Sequence, residues 1–419
     1  MAPITQTFSG LGIAPKIMEI LDQLRFIEPT PIQYQSIPTA LRGKDIIGVA
    51  QTGTGKTLAF GIPMIQRLAS VKGNGLIILP TRELALQVDE ALGRIGKFFN
   101  LKAAVIIGGG NMGRQIRQLR QNPQIFIATP GRLIDHLRQK TISLEKVSIL
   151  VLDEADRMLD MGFAPQIKKI LQTAPRERQT MLFSATMPSE IIKIANSYMR
   201  LPVRVEIAPS GTAAANVTHE IFFVHKESKT NLLKTLLKER PGSTLIFTRT
   251  KYGAKKITAE IRSLGCTATE IHSNRTLNQR LQSLAGFKSG LFRVMVATDI
   301  AARGLDVKNI EIVINYDLPE KPEDYVHRIG RTGRASNYGH AISFATPAQR
   351  RDIMAIERLI KKQLPISKLP AGIAPAPLDV EQKNFRPGNF SPRRRPFSHP
   401  AARPPLRGRR NYQPKRKFS

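Results

Sequence analysis

Apolar runs of four to six residues recur through this chain, each followed by a stretch of helical length, and that rhythm leaves few folds open. The runs are 45–50, 76–80, 103–107, 125–128, 148–152, 180–183 and 203–207, and a second series follows at 221–224, 244–247, 268–271, 293–297, 311–315 and 341–345. Strands that alternate with helices pair in parallel, because a strand needs a long crossover to return in the same direction. The expected fold class is therefore α/β, with parallel sheets flanked by helices. Between the two series lies Ala208-Pro209-Ser210-Gly211-Thr212-Ala213-Ala214-Ala215-Asn216, which has no large apolar side chain to bury and reads as a linker. The expected division is a first domain at 1–208, a linker at 209–217, a second domain at 218–368 and a tail at 369–419.

Ligands of a parallel sheet bind beyond the carboxyl ends of its strands, and the polar clusters of this chain fall there. Ile149-Leu150-Val151-Leu152 runs into Asp153-Glu154-Ala155-Asp156, so a buried strand delivers three carboxylates to the sheet edge. Acids also suit a first helical turn, and the tetrad alone leaves both uses open. Upstream, Ala50-Gln51-Thr52-Gly53-Thr54-Gly55-Lys56-Thr57 follows an apolar run and leads into a helix-like stretch. It reads as a phosphate-binding loop. Its glycines let backbone N–H groups turn toward a phosphate, the helix start adds partial positive charge, Lys56 reaches the β and γ oxygens, and Thr57 offers its hydroxyl to Mg2+. Ala50 stands where a glycine is usual, which asks only that this position need no positive φ. The acids downstream would complete the metal site.

Other clusters share the register: Pro80-Thr81-Arg82-Glu83-Leu84-Ala85, Gly108-Gly109, Thr129-Pro130-Gly131-Arg132, Ser184-Ala185-Thr186, Thr248-Arg249-Thr250 and Thr298-Asp299. Each alone would serve as a turn or cap; together they line one edge of two sheets. The second series has no Gly-Lys-Thr loop, but it carries His327-Arg328-Ile329-Gly330-Arg331-Thr332-Gly333-Arg334. Arginines supplied across an interface suit a γ-phosphate held by the other domain.

The net charge is +32, which points to a polyanion such as nucleic acid, with acidic lipid as the alternative. Residues 381–419 carry twelve Lys or Arg against the single acid Glu381, with many prolines and few aliphatics, so this segment is expected to be disordered. Its interleaved Phe385, Phe390, Phe397, Tyr412 and Phe418 suit stacking on bases beside phosphate contacts, and a solubilising tail is the plainer alternative. The remainder stays near +21 once the segment's excess of eleven is taken from +32. The single cysteine, Cys266, excludes an internal disulfide. No apolar run approaches about 18 residues, and a soluble cytoplasmic protein without a membrane partner is expected.

From about Phe8 to Ala345, these motifs in this order resemble the DEAD-box family of ATP-dependent RNA helicases, in helicase superfamily 2, and among its branches the bacterial RhlE type. The resemblance implies two tandem RecA-like domains joined by a flexible linker. It implies ATP and Mg2+ as cofactors, with Phe26 stacking on the adenine, Gln33 bonding its N6/N7 edge and Phe8 supporting them. Ala50, Gln51, Thr52, Gly53, Thr54, Gly55, Lys56 and Thr57 would hold the phosphates, while Gly304 and Asp306 would meet the ribose. Asp153 would hold the metal through water, and Glu154 would position and deprotonate the attacking water. Asp156, Ser184, Thr186, His327 and Arg328 would couple this cluster to the RNA side, and Arg331 and Arg334 would be arginine fingers.

For RNA, the resemblance implies Arg82, Gly109, Thr129 and Arg132 in the first domain and Thr248, Arg280 and Thr298 in the second. They address mainly the sugar-phosphate backbone, which implies little sequence preference. In His272-Ser273-Asn274-Arg275-Thr276-Leu277-Asn278-Gln279-Arg280, the family usually has Gly at 273 and Gln at 277, so the contact from 277 departs from the pattern. The expected activity is a nonprocessive, RNA-dependent ATPase that separates short duplexes. The expected partner is RNA, single-stranded or in short duplex, with ribosomal precursors or RNA-decay machinery as candidates. An RNA clamp or annealing chaperone dominated by the tail is the alternative, and a DNA helicase the third.

Overall fold

The computed structural model describes residues 7–51, 53–207, 217–302, 307, 310–333 and 338–373. The expected linker stretch 208–216, the tail from 374 onward, and Thr52, Gly304, Asp306 and Arg334 lie outside the described residues.

Seven strands form the first sheet: β1 (Ile46–Val49), β2 (Asn74–Ile78), β3 (Ala103–Ile106), β4 (Ile125–Ala128), β5 (Val147–Leu152), β6 (Gln179–Ser184) and β7 (Val203–Glu206). Six form the second: β8 (Val217–Phe223), β9 (Thr244–Phe247), β10 (Ala268–Ile271), β11 (Val294–Ala297), β12 (Ile312–Asn315) and β13 (Gly339–Ala345). The orders are β3-β4-β2-β5-β6-β1-β7 and β10-β11-β9-β12-β13-β8, and their pairings are parallel. Both sheets belong to one compact unit. No helix among the described residues is long and apolar enough to cross a membrane.

Every expected run coincides with a strand, because a parallel strand covered on both faces must be apolar throughout. The largest difference is at β8, which begins at Val217 instead of 221 and pairs with β13 over its whole length. As an outer strand it is covered unevenly, with Val217 and His219 buried and Thr218 exposed, so its first half shows no continuous apolar run. Leu369 and Ile373 pack against the second sheet's core, so apolar packing runs past residue 368.

Strand order is what positions the site. In the first sheet β5, β6 and β1 are neighbours, so the acid tetrad, Ser184-Ala185-Thr186 and the phosphate-loop sequence emerge side by side. The other half, β3-β4-β2, carries Gly108-Gly109, Thr129 and Thr81-Arg82 at its carboxyl ends. Behind the phosphate loop the packing is close: Phe60 and Phe183 have ring centroids 5.6 Å apart, and a Cβ added at Gly48 in β1 would lie 2.5 Å from Phe183. Gly48→Ala is therefore expected to destabilise the first domain by about 1–3 kcal/mol, read as a lower urea midpoint of that domain's transition; an unchanged midpoint would mean the contact yields freely.

Candidate functional site

The loop after β1 turns on Gly53 and Gly55, with φ of 87° and 90°, before the helix Lys56–Ser70 begins. Only glycine adopts that conformation at little cost, and it frees the backbone amides at the helix start. Lys56 is buried; its Nζ donates to the Ala50 carbonyl at 3.0 Å and lies 3.9 Å from Asp153 Oδ1. Thr54 Oγ1 donates to the Gln51 carbonyl at 2.7 Å. Gln33 is tied to the same loop: its Nε2 donates to the Gly55 carbonyl at 3.0 Å, and its Oε1 accepts from Thr30 N at 2.9 Å. Its amide is thus turned to the phosphate loop, while Phe26 is exposed and Phe8 is buried in the core.

Beyond β5 the chain passes through Glu154 in a left-handed conformation, φ 53°, which costs a non-glycine residue of order 1–2 kcal/mol. Asp153 Oδ1 accepts from Glu154 N at 2.9 Å and steadies that turn. Asp156 reaches across to β6. Its Oδ2 accepts from Ala185 N, Thr186 N and Thr186 Oγ1 at 3.1, 2.9 and 2.9 Å, and Ser184 Oγ accepts from Asp156 N at 3.2 Å. The neighbouring Arg157 is buried as well and donates from Nη1 to Glu154 Oε2 at 2.7 Å.

These acids differ electrically. Burial pushes Asp153 up to about 6, against the lowering pull of Lys56. Burial also acts on Glu154, but Arg157, Lys56 and Arg331 outweigh it and hold that carboxyl below its ordinary value. Asp156 is held low despite burial by Lys56, Arg157 and His327, with the hydroxyl of Thr186 adding to them. Burial, then Arg157, brings His327 down to about 4, so its ring is neutral at pH 7.

On the other half of the sheet, Gly109 has φ 73°, and a Cβ there would lie 2.0 Å from Arg82 Nη1, so the absent side chain makes room for the guanidinium. Arg132 Nη1 donates to the Gly110 carbonyl at 3.1 Å. Two buried residues support it: Gln115, whose Nε2 donates to the Ile107 carbonyl at 2.8 Å, and His136, whose Nε2 is 3.1 Å from Gln115 Oε1. Arg82, Thr129, Arg132 and Arg280 line one cleft of about 700 Å³. Thr248 differs from its neighbours in being fully buried, with its hydroxyl donating to the Thr250 carbonyl at 3.3 Å.

The second sheet contributes the helix Pro322–Ile329. Arg328 spends its guanidinium inside that domain, donating to both Asp299 oxygens at 2.6 and 2.7 Å, to Asn315 Oδ1 at 3.0 Å and to the Asp317 carbonyl at 2.6 Å. It therefore clamps the loop after β11, where Thr298 sits, to the end of β12. His327 and Arg331 instead face the first domain, lining with Gln51, Arg157 and Thr186 a second cleft of about 630 Å³. Arg157, Gln115 and His136 were not among the expected site residues, and Asp299 was expected only as part of the Thr298-Asp299 cluster, with no role of its own. Of the first three, only Arg157 carries a sequence signal, its i,i+3 spacing from Glu154.

Removing one member of a buried ion pair leaves an uncompensated charge, at a cost of about 3–5 kcal/mol. Arg157→Met is expected to lose stability on that scale, and Arg157→Met with Glu154→Gln to recover part of it. Denaturant unfolding of the two variants is the check, and equal losses in both would deny the coupling.

Residues 30–194 match the family described as DEAD/DEAH box helicase, and residues 228–336 that described as helicase conserved C-terminal domain. The DEAD-box ATP-dependent RNA helicase CshA of Bacillus licheniformis is 43% identical over 370 residues, 88% of this chain and 76% of that protein. Among solved structures, S. cerevisiae Dbp5 bound to RNA and ADP BeF3 is 30% identical, with a TM-score of 0.78 covering 87% of this chain and 96% of that one. A DEAD box protein from the hyperthermophile Methanococcus jannaschii is 37% identical, with a TM-score of 0.52 covering 86% and 99%. With one helicase family matched on each sheet and a relative of this identity along most of both chains, the chain belongs to the DEAD-box family of ATP-dependent RNA helicases.

Proposed function

We propose that this chain is a nonprocessive, RNA-stimulated ATPase: ATP and single-stranded RNA draw its two domains together, the bound strand bends, a short duplex separates locally, and hydrolysis reopens the cleft. The observation that carries this reading is the split site. Lys56 and Glu154 belong to the first domain, and Arg331, whose charge helps hold Glu154 low, belongs to the second. The better superposition on the yeast protein, at lower identity than the archaeal one, supports the closed arrangement, because that structure holds RNA and a nucleotide analogue.

In this mechanism the loop 50–57 cradles the phosphates, with Lys56 exchanging the Ala50 carbonyl for phosphate oxygens. Phe26 stacks on adenine, and Gln33 links the base to the loop through Gly55. Glu154, kept ionised, orients the attacking water and takes its proton. Asp156 carries that state through Ser184 and Thr186, with His327 and Arg328 answering from the second domain. Arg331 and Arg334 stabilise charge developing on the γ-phosphate, and Gly304 and Asp306 meet the ribose.

Mg2+ keeps water and phosphate oxygens in its shell and takes few protein oxygens; Thr57 would give its hydroxyl, Asp153 would hold the ion through water, and the raised carboxyl of buried Asp153 suits added positive charge. When bound, the ion would neutralise charge on the β- and γ-phosphates. RNA follows Arg82, Gly109, Thr129, Arg132, Arg280 and Thr298, with Thr248 acting from beneath the surface. We assign 1–208 to the first domain and 218–368 to the second, which the pairing of Val217 and the packing of Leu369 and Ile373 extend at both ends, with the linker before it and the tail after it, in the cytoplasm. Ribosomal precursors or RNA awaiting decay are the proposed substrates. The motif wording resembles the RhlE type, whereas the Bacillus relative carries the name CshA.

Glu154→Gln is expected to slow RNA-stimulated phosphate release by about a hundredfold or more, the scale of a lost general base, with RNA binding retained; release near wild type would remove Glu154 from this role. Truncation after residue 373, which spares Leu369 and Ile373, is expected to weaken RNA binding and flatten its salt dependence while RNA-stimulated ATPase persists. Loss of all stimulation in that variant would favour the tail-dominated clamp. Matched RNA and DNA single strands should differ in stimulation, with RNA the stronger, and equal stimulation would favour a helicase for either nucleic acid.

A further inference from the structure

The helix Leu277–Lys288 begins with a capping box: Gln279 N donates to Thr276 Oγ1 at 3.3 Å, and Thr276 N donates to Gln279 Oε1 at 3.0 Å. The preceding loop is tethered on both sides, by Lys251 Nζ to Asn274 Oδ1 at 3.0 Å and by Arg275 Nε to Glu270 Oε1 at 3.0 Å. A start held this firmly places Leu277 and Arg280 one turn apart on the same helix face. Both touch the first domain. Arg280 Nε lies 3.1 Å from Glu83 Oε1, a carboxylate 1% exposed. Leu277 packs against the first domain's apolar cluster, which extends to Leu84 and Ile107 beside the RNA cleft. Glu83 in turn adjoins Arg82, held at the start of its own helix by Thr81, whose Oγ1 accepts from Leu84 N at 3.3 Å.

The two contacts differ in kind. Opening the domains returns Glu83 and Arg280 to water, which repays much of what their pairing contributes. Opening at Leu277 instead exposes apolar surface from both sides, a cost that salt does not screen and that needs no fixed geometry. A glutamine there would bury less apolar surface and would need a partner for its amide.

We infer that Leu277 is a positioning residue, an apolar latch that holds the domains closed beside the RNA cleft, seats Arg280 on Glu83, and reduces the RNA needed to switch the ATPase on. The inference rests on the RNA-stimulated reading above. It assigns Leu277 no contact with ATP or with the reacting phosphate, so the variant at saturating RNA should still hydrolyse ATP.

The test compares full-length Leu277→Gln and Leu277→Met with wild type in two measurements. In steady-state ATPase titrated with a single-stranded RNA, Leu277→Gln is expected to raise the half-saturating RNA concentration about three- to tenfold, the scale of a partly buried leucine, with kcat within about twofold. Leu277→Met, which keeps the apolar volume, should stay within about twofold in both. In the second measurement, energy transfer between one label on each domain reports the closed fraction with a non-hydrolysable ATP analogue and no RNA, and Leu277→Gln should lower it severalfold. An unchanged closed fraction with an unchanged RNA requirement overturns the latch, and so does a fall in kcat with the RNA requirement unmoved. A wild-type ATPase indifferent to RNA would instead defeat the reading beneath it, while the closed fraction would still judge Leu277.

Discussion

One buried carboxylate joins the parts of the first domain that must act together. Asp156 lies at the carboxyl end of β5, and its oxygens take the amides and hydroxyl of the loop after β6. Those strands are neighbours because of the sheet order, so the bond is short and needs no distortion. A carboxylate that accepts several N–H and O–H bonds is stabilised in its charged form, and Asp156 stays ionised in spite of burial. Moving the loop at Ser184–Thr186 would therefore disturb Asp156 and the Glu154–Arg157 pair that flanks it. This gives a physical route between the acids and the cleft that opens toward the second domain.

Strand order divides both domains by task. In the first, β5-β6-β1 presents the phosphate loop and acids, while β3-β4-β2 presents Arg82, Gly109 and Thr129, the residues proposed to meet the RNA backbone. In the second, β10, β11 and β9 are adjacent and are followed by the helix with Leu277 and Arg280 and by the loops with Thr298 and Thr248, whereas the helix after β12 carries Arg328 and the turn that ends it carries Arg331. Each cleft thus takes residues from both domains. Under the proposed mechanism, closing the domains would build the two together, and Arg328 holds Asp299 beside Thr298 within the second domain.

How far the fold and site can be read from the sequence follows from where each signal is local. Fully covered parallel strands announce themselves as continuous apolar runs, and the glycines and lysine of the phosphate loop act within a few residues of one another. The outer strand β8 hides half its length because one of its faces alternates. Gln115 and His136 depend on partners such as Arg132, brought near only by strand pairing, and a polar residue gives no local sign that it will be buried; Asp299 stands in a polar cluster plain in the sequence, but its bond to Arg328 is not. Gln33 shows the same limit from the other side: its amide is plain in the sequence, but its use in tying Thr30 to Gly55 emerges only once the helix Pro31–Leu41 packs beside the loop.

The central claim is that Glu154 and Arg331, on different domains, form one catalytic unit. The most direct test is a double-mutant cycle in single-turnover ATP hydrolysis at saturating RNA, using Glu154→Gln, Arg331→Ala and the two combined. Groups that act as a unit lose their effect together, so the combined variant should be no slower than the slower single one. Losses that multiply would mean that the two residues act independently, and would contradict a site completed by closure.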